Sequence, residues 1–481
     1  MLFTSLSFFL FLAVVVAGYF CLRHRAQNLW LLAASYVFYG VWSWRFSLLV
    51  LLCTATNFAC GALIHAAATR GRKRLWLWVG VVWNLGVLGF FKYYNFFADN
   101  LTAFLGLFGL QASWHITDLI LPVGISFYTF QALSYTIDVY RGKLEPVRSF
   151  SDFALFVAFF PQLVAGPIER ATNLLPQIGA PRRVTAASLR SGFWLIFLGV
   201  YKKVFVAEEL GRMVEPIFAA KGSYAGVDVM LGCALFSLQI YADFAGYTDV
   251  ARGTARVLGF ELMQNFRAPY FASNIQEFWN RWHLSLTTWI KDYMFYPMAL
   301  SRRWAKILGA GGISLVIMTV IGFWHGASWN FILWGAFHGL VIHAYTKVRP
   351  SLYRLTRGWG GLRRQVWVAV CIVFTFSVVA VSEVLFCTED LRHAWWMFRD
   401  LFLRPEAGEA TLETLWWSAV VLAVPFVLDL DEHLHLGQRQ SLSARSPALL
   451  FAVQVATVVS LVQVLTSLKT NLVTPYVYFQ F

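Results

Sequence analysis

The sequence predicts an all-α polytopic membrane protein, and two observations carry that prediction. Hydrophobic residues make up 58% of the 481 residues and charged residues only 13%, which excludes an ordinary water-soluble protein. Apolar runs recur along almost the whole chain, and many approach the roughly 20 residues that a helix needs to cross a bilayer core. We therefore expect roughly 11 to 14 transmembrane or re-entrant helices in one membrane-embedded domain, residues 1–481.

The apolar runs place these helices along the chain. The first run lacks a basic region before it and a small-residue cleavage site after it, so we expect a retained helix and not a signal peptide. Pro and Gly interrupt the run at 151–168, which predicts either a buried polar cavity or a kink that serves packing. The predicted spans are 5–22, 29–44, 46–65, 75–91, 96–110, 119–139, 151–168, 190–207, 227–247, two within 311–345, 366–387, 413–429 and 447–467.

The net charge of +14 reports membrane topology and does not predict nucleic-acid binding. The basic residues form short clusters between apolar runs, as at 23–25 and 70–74, where anionic membrane lipid attracts them. If both loops face the cytoplasm, the N-terminus is extracytoplasmic. The six cysteines contain no CxxC pair, so we expect no metal site and no disulfide framework. The sequence also lacks a P-loop, which argues against an ATP-driven pump.

The segment from Ser273 to Tyr293 is too polar for a plain lipid-facing span. Its Trp and Leu residues recur at steps of three and four, which predicts one apolar stripe on an amphipathic or re-entrant helix. Glu277 and Arg281 are placed to pair at i and i+4. His283 lies at the edge of the stripe, where a structural interfacial histidine and a catalytic histidine are both open interpretations.

His325 lies well inside apolar sequence, where an ionisable residue is energetically costly. Burial disfavours the charged imidazolium, so a neutral ring is available to accept a proton, as a general base for a hydroxyl nucleophile must. Gly322 and Gly326 leave room beside it for a ligand or another backbone. A hydrogen bond from the histidine to a neighbouring helix is the structural alternative.

Three further ionisable residues lie in or beside apolar runs. His338 follows His325 by roughly 220° around a straight helix, so the two do not share a face, and we expect a structural role for His338. Asp243 and Asp249 are candidates for function because acids within a membrane are costly. They are equally typical of residues that hold Tyr or Arg partners for packing.

Five ordered blocks, spread over nearly the whole chain, resemble the membrane-bound O-acyltransferases (MBOAT) of the bacterial alginate O-acetylation type. The resemblance implies an MBOAT-like bundle of membrane helices around a central tunnel. The blocks are LPVGISFYTFQALSYTIDVYRG (121–142), PQLVAGPI (161–168), QIYADFAGYTDVARG (239–253), NFRAPYFASNIQEFWNRWHLSLTTWIKDY (265–293) and FWHGASWNFILWGAFHG (323–339).

The resemblance implies that His325, in the WHG block, is catalytic and that His283, in the RWH block, is its partner. It implies transfer of an acetyl group from cytosolic acetyl-CoA across the bacterial inner membrane, with no permanently bound cofactor. The acceptor would be a hydroxyl of an exported or cell-wall polysaccharide such as alginate, cellulose or peptidoglycan. The implied partner is an extracytoplasmic acetyltransferase with an esterase fold.

The tail at 476–481 resembles the aromatic C-terminal ending of this group, usually FIYFQF, and Tyr478 occupies the position of its tyrosine. A phenolic oxygen at a chain end has the chemistry to accept an acyl group at the membrane histidine and to pass it to a partner. An interfacial aromatic anchor is the alternative interpretation of this residue.

Departures from the family pattern leave the glycan open. The chain lacks the Gly-Gly-Asn-Arg stretch after 293–297, and 241–245 reads YADFA where relatives often read FDFSG. Other acyl transfers, such as D-alanylation or acylation of lipid or protein, are alternatives on the same fold. A proton-coupled transporter or flippase is another. Basic residues that are candidates for holding the CoA phosphates are Arg182, Arg183, Lys202 and Lys203.

Overall fold

The computed structural model describes residues 1, 3–110, 113–219, 225–404, 406, 411–434, 451, 453–455 and 457–458. These residues form helices joined by short connections and include no β-strand, which confirms the all-α prediction. The predicted tail at 476–481, with Tyr478, lies outside the described residues, as does most of the span predicted at 447–467. The helices long and apolar enough to cross a membrane are His24–Ala66, Arg70–Gly106, Gly226–Val257, Arg302–His325, Gly361–Cys387 and Thr414–Leu434.

The protein is thus a multi-pass membrane protein, but several predicted spans are shorter helices. The first predicted span is the 15-residue helix Leu6–Phe20. The spans predicted at 29–44 and 46–65 form one 43-residue helix, which is interrupted at Ser43 by an extended backbone conformation. The central tunnel and the single domain stay predictions.

The contacts between residues divide the chain into two compact units. Unit 1 comprises residues 1–197 and 247–263, and unit 2 comprises residues 198–246 and 264–481. The helices of unit 1 are α1 (Leu6–Phe20), α2 (His24–Ala66), α3 (Arg70–Leu88), α4 (Tyr94–Gly106), α5 (Ile125–Tyr140), α6 (Phe150–Ala158), α7 (Phe160–Leu163), α8 (Ala171–Gly179), most of α9 (Ala186–Tyr201) and the last part of α11 (Gly226–Val257).

Three buried polar side chains connect α2, α3 and α5 in unit 1. The amides of Asn57 and Asn84 exchange two hydrogen bonds, of 3.2 and 2.9 Å between nitrogen and oxygen. The hydroxyl of Thr136 donates to the Asn57 oxygen at 2.8 Å. Each asparagine also donates to a carbonyl of its own helix. This asparagine cluster joins the three helices where the side chains have no access to water.

The helix interruption that the sequence predicts within 151–168 lies between α6 and α7. Phe159 leaves the helical conformation, and α7 begins at Phe160 with a proline in its first turn. The Phe160 amide donates to the Ser35 hydroxyl at 3.1 Å, and the Gln162 side chain donates to the Phe156 carbonyl at 3.0 Å. Side chains of the protein therefore supply hydrogen-bond partners for the backbone groups at this interruption, as burial requires.

Unit 2 contains the polar segment 265–293 and the WHG block at 323–339. Its helices, after the end of α9, are α10 (Glu208–Ala219), most of α11, α12 (Ile275–Trp279), α13 (Leu284–Ile290), α14 (Tyr296–Ala299), α15 (Arg302–His325), α16 (Trp329–Thr356), α17 (Gly361–Cys387), α18 (Leu391–Leu403) and α19 (Thr411–Leu434).

Glycines allow α15 and α16 to touch through their backbones. A Cβ atom on Gly322 would lie 2.1 Å from the Phe331 carbonyl oxygen, and one on Gly335 would lie 2.2 Å from that of Met318. Neither distance is sterically allowed, so both positions require glycine at this separation. The prediction of room beside His325 for another backbone is confirmed at Gly322, whereas the space at Gly326 is filled by the Phe331 ring.

The asparagine cluster gives a stability prediction for Asn57→Leu. The substitution removes the hydrogen bonds that join α2 to α3 and α5 and leaves buried Asn84 and Thr136 groups without them. We expect a loss of about 1–3 kcal/mol, seen as a fall of several degrees in the unfolding temperature of the purified protein in detergent.

Thr56→Val is the matched control, because the Thr56 hydroxyl bonds only to the Leu52 carbonyl of its own helix. Its unfolding temperature should stay near that of the wild type. Equal unfolding temperatures for Asn57→Leu and Thr56→Val would contradict a structural role for the cluster.

Candidate active site

His325 is the last residue of α15, and the backbone contact at Gly322 fixes its position one turn later. Its side chain is buried against aromatic rings from α16 and α17. The ring centroids of Trp334 and Phe386 lie 5.4 and 5.5 Å from that of His325, both in edge-on arrangements. This aromatic wall excludes lipid and water from most of the imidazole, which is 8% exposed.

His283 lies between α12 and α13 and has an unusual backbone. Its φ is +43° and its ψ +54°, so it adopts the left-handed conformation, which residues other than glycine rarely occupy. Such a residue costs on the order of 1–3 kcal/mol and persists where its surroundings determine it. The imidazole is 1% exposed and packs edge-on against Phe244 at 4.7 Å between centroids.

The buried Asn265 supports this strained segment. Its carbonyl accepts a hydrogen bond from the Leu284 amide at 2.9 Å, and its side-chain oxygen accepts one from the Ser285 amide at 3.2 Å. The Arg267 amide donates to the Arg281 carbonyl at 3.0 Å. Bonds on both sides of His283 therefore hold it in place. Asn265 was not predicted as a site residue, because its role depends on a loop pairing that the sequence does not display.

The structure brings both candidate histidines to the same tryptophan. The centroid of the Trp324 ring system lies 4.8 Å from His325 and 6.2 Å from His283. The two histidines are 42 residues apart in the sequence and belong to different helical segments. Their shared buried neighbour is the geometric core of the candidate site. Tyr478 lies outside the described residues, so its position relative to the histidines stays a prediction.

The segment around His283 differs from the predicted continuous helix. Asn280 ends α12, and the left-handed His283 begins α13, so the predicted stripe is divided between two short helices. The reason is that residues 265–267 form hydrogen bonds with residues 281–285, a contact that the 3.6-residue periodicity cannot predict. The predicted ion pair is confirmed, with 2.5 Å between the Arg281 guanidinium and the Glu277 carboxylate.

His338 is fully buried and its contacts fit the structural role expected of it. Its Nε2 lies 3.0 Å from the Ser382 hydroxyl, which itself donates to the Val379 carbonyl. The imidazole Nε2–H is therefore the donor to Ser382. Rings of Trp279 and Trp334 pack edge-on against the same imidazole. These contacts tie α16 to α17 and to the α12 segment.

Acidic and basic residues of both units form ion pairs or hydrogen bonds with other side chains. In unit 2, Asp243 lies 2.6 Å from the Lys203 ammonium, and both side chains are almost completely buried. In unit 1, Asp249 lies 3.7 Å from Arg252, and Arg182 donates to the Tyr19 hydroxyl. These contacts favour structural roles for Asp243, Lys203 and Arg182.

Polar residues near the end of α19 also contact the site segment, and the sequence analysis missed them. Glu432 accepts from the Gln264 side chain at 2.8 Å and from the Ala268 amide at 3.0 Å. Asp429 accepts from the Tyr241 hydroxyl at 2.9 Å, and the Arg281 guanidinium lies 3.0 Å from His433 Nδ1. Acidic residues within an apolar run were the available signal.

A cavity of about 270 Å³ lies beside the site. It is walled by α15, by the α12–α13 segment and by one residue of α16. Trp279 and Ile321 belong to its lining, and Asn280, Thr287 and Lys291 supply polar groups. Ile321 lies one helical turn before His325, so the cavity approaches the candidate base along α15. The residues described by the structure contain no group of three His, Cys, Asp or Glu side chains suited to a metal ion.

Comparison with known proteins gives consistent matches over most of the chain. A probable alginate O-acetylase of Azotobacter vinelandii is 39% identical over 417 residues, which are 86% of this chain and 80% of that relative. One of Pseudomonas aeruginosa is 39% identical over 432 residues, 88% and 80% of the two chains. A peptidoglycan O-acetyltransferase of Helicobacter pylori is 33% identical over 422 residues, 81% and 77%.

The family model of the membrane-bound O-acyltransferases matches residues 147–388, which include His283, His325 and the elements that position them. The predicted resemblance is thereby confirmed by a match of half the chain and by relatives that align over most of their own length. The chain belongs to the MBOAT family and is an acyltransferase.

Proposed function

We propose that this acyltransferase moves acetyl groups from cytosolic acetyl-CoA across the bacterial inner membrane for O-acetylation of an exported or cell-wall polysaccharide. The observation that carries the proposal is the pair of histidines that share Trp324 in a buried aromatic site. The names of the relatives, which act on alginate or peptidoglycan, support a polysaccharide as the final acceptor.

His325 is the general base in this mechanism. It removes the proton from the acceptor hydroxyl, whose oxygen attacks the carbonyl carbon of the acetyl thioester. The carbon–sulfur bond breaks, and the leaving thiolate takes the proton back from His325. An imidazole accepts a proton only in its neutral form. Base catalysis of this kind typically contributes about 10²–10⁴ in rate.

His283, which lies between α12 and α13, orients the reacting groups. The Leu284 and Ser285 amides donate hydrogen bonds to Asn265, and these bonds hold the histidine in a fixed position, which an orienting residue needs. The cavity beside Ile321 and Trp279 is the space through which the thioester end of the donor reaches His325. Lys291 and Asn280 line it and offer hydrogen bonds to the polar arm of the donor.

The acetyl group leaves through an acceptor on the extracytoplasmic side. Tyr478 is the first acceptor, and a serine enzyme with an esterase fold takes the group from it and delivers it to the glycan. Division of one difficult transfer into two is the usual advantage of a covalent carrier. The basic clusters at 23–25 and 70–74 favour an N-terminus outside the cytoplasm, which agrees with this direction of transfer.

The first prediction concerns the two histidines. His325→Ala should lower CoA release from acetyl-CoA by about 10²–10⁴, because the base is lost, and His283→Ala should lower it less. The measurement is thiol release by purified protein in nanodiscs. His65→Ala, at an exposed histidine near Glu145, is the control and should keep wild-type activity.

Equal turnover in wild type and His325→Ala would remove this histidine from the chemistry. Turnover of a D-alanyl or long-chain thioester in place of acetyl-CoA would assign a different acyl transfer to the same site. Movement of a substrate without covalent transfer would support a transporter.

The second prediction concerns the carrier. With acetyl-CoA labelled in its acetyl group and no partner protein, wild type should retain label on the protein, and Tyr478→Phe should retain none. The phenolic hydroxyl is the only group that the substitution removes. Tyr476→Phe is the matched control and should retain label as wild type does. Undiminished label on Tyr478→Phe would contradict the carrier role.

A further inference from the structure

A second and larger cavity, with a volume of about 890 Å³, lies between α16 and α17. Its walls are mainly apolar side chains from both helices, among them Val341, Val348, Leu352, Val370 and Phe374. Ser273, Asn274 and Ile275, before and at the start of α12, also line it. We call it the α16–α17 groove. Several of its lining side chains are exposed, as expected for a groove that opens toward lipid in a membrane helix pair.

The end of the groove where α16 ends and α17 begins is strongly basic. Arg349 is part of the lining, and within the described residues no carboxylate forms a salt bridge with it. Residues 347–364, which end α16 and begin α17, contain six Lys or Arg residues and no Asp or Glu. Such a cluster between two membrane helices is typical of the cytoplasmic side, where the lipid surface is anionic.

Aromatic residues mark the level of the membrane interface at this end. The Arg363 guanidinium lies 3.8 Å from the centroid of the Trp359 ring, and Trp359 packs edge-on against Trp367. Trp367 and Tyr353 both line the groove. Trp and Tyr are enriched at the depth of lipid head groups. The groove therefore begins at head-group depth and continues along apolar walls into the hydrocarbon core.

We propose that the α16–α17 groove binds one anionic glycerophospholipid, with its phosphate at Arg349 and an acyl chain against the apolar walls. Charge complementarity selects this occupant: the groove couples an apolar interior to a cation that forms no salt bridge with an acid of the described residues. A zwitterionic phospholipid carries a positive group that the basic rim repels. The lining on α17, from Trp367 to Val378, extends over about 16 Å of helix, which is long enough for much of an acyl chain.

The test measures lipid retention by the full-length purified protein and uses no enzyme activity, so it is independent of the proposed function. Native mass spectrometry counts bound phosphatidylglycerol and phosphatidylethanolamine after exposure to each. Wild type should retain one phosphatidylglycerol in preference to phosphatidylethanolamine. Arg349→Gln should weaken that preference about fivefold, since one basic residue near an anionic head group contributes about 1 kcal/mol.

Ala344→Trp tests the apolar part of the site, because Ala344 lines the groove and a tryptophan side chain would fill it. This variant should lose retention of phosphatidylglycerol. Matched controls lie outside the lining and outside the basic cluster at 347–364: Arg74→Gln on α3 for the charge and Leu340→Trp on α16 for the bulk. Both should retain lipid as wild type does.

Wild-type retention of phosphatidylglycerol by both Arg349→Gln and Ala344→Trp would overturn the proposal. Equal retention of the two phospholipids by wild type would also overturn it, since the groove would then hold lipid without recognising its charge. The unfolding temperatures of the two tryptophan variants are compared as well. If Ala344→Trp loses lipid but is no less stable than Leu340→Trp, the loss of lipid reflects the filled groove and not general damage to the protein.

Discussion

A membrane-embedded chain must satisfy its buried polar groups with its own atoms, because the bilayer core offers no water. In unit 1, the asparagine cluster and the bonds around the α6–α7 break meet this constraint. In unit 2, Lys203 and Asp243 balance one another's charge. The polar segments that carry the candidate chemistry are stable within apolar surroundings only because such partners exist.

The same constraint explains the construction of the candidate site. The left-handed His283 costs on the order of 1–3 kcal/mol, and the two hydrogen bonds that the Leu284 and Ser285 amides donate to Asn265 contribute about 0.5–1.5 kcal/mol each. These terms offset one another to within a few kcal/mol. His325 lies at the end of α15, where the backbone contact between α15 and α16 helps to fix its place. Hydrogen bonds of the segment thus position the first histidine, and helix packing contributes to the position of the second.

Composition and periodicity were sufficient to predict an all-α membrane protein, and the family blocks identified His325 and His283. The Glu277–Arg281 pair also followed from local spacing. The end of α12 at Asn280 could not be predicted, since it depends on hydrogen bonds between residues 265–267 and 281–285, which no periodic pattern displays. The contacts of Glu432 with Gln264 and Ala268 join residues more than 160 positions apart, and only the tertiary fold brings them together. Hydropathy did not distinguish the short helix Leu6–Phe20 from a full span, nor the two spans predicted at 29–44 and 46–65 from one interrupted helix.

The most direct test of the account is a single-turnover measurement of CoA release with His325→Gly, with and without added imidazole. Removal of the side chain leaves a space within the aromatic wall formed by Trp334 and Phe386. If His325 accepts the proton, the rate should fall by about 10²–10⁴, and free imidazole should restore part of it. A rate for His325→Gly equal to that of the wild type, unaffected by imidazole, would contradict the assignment of the base.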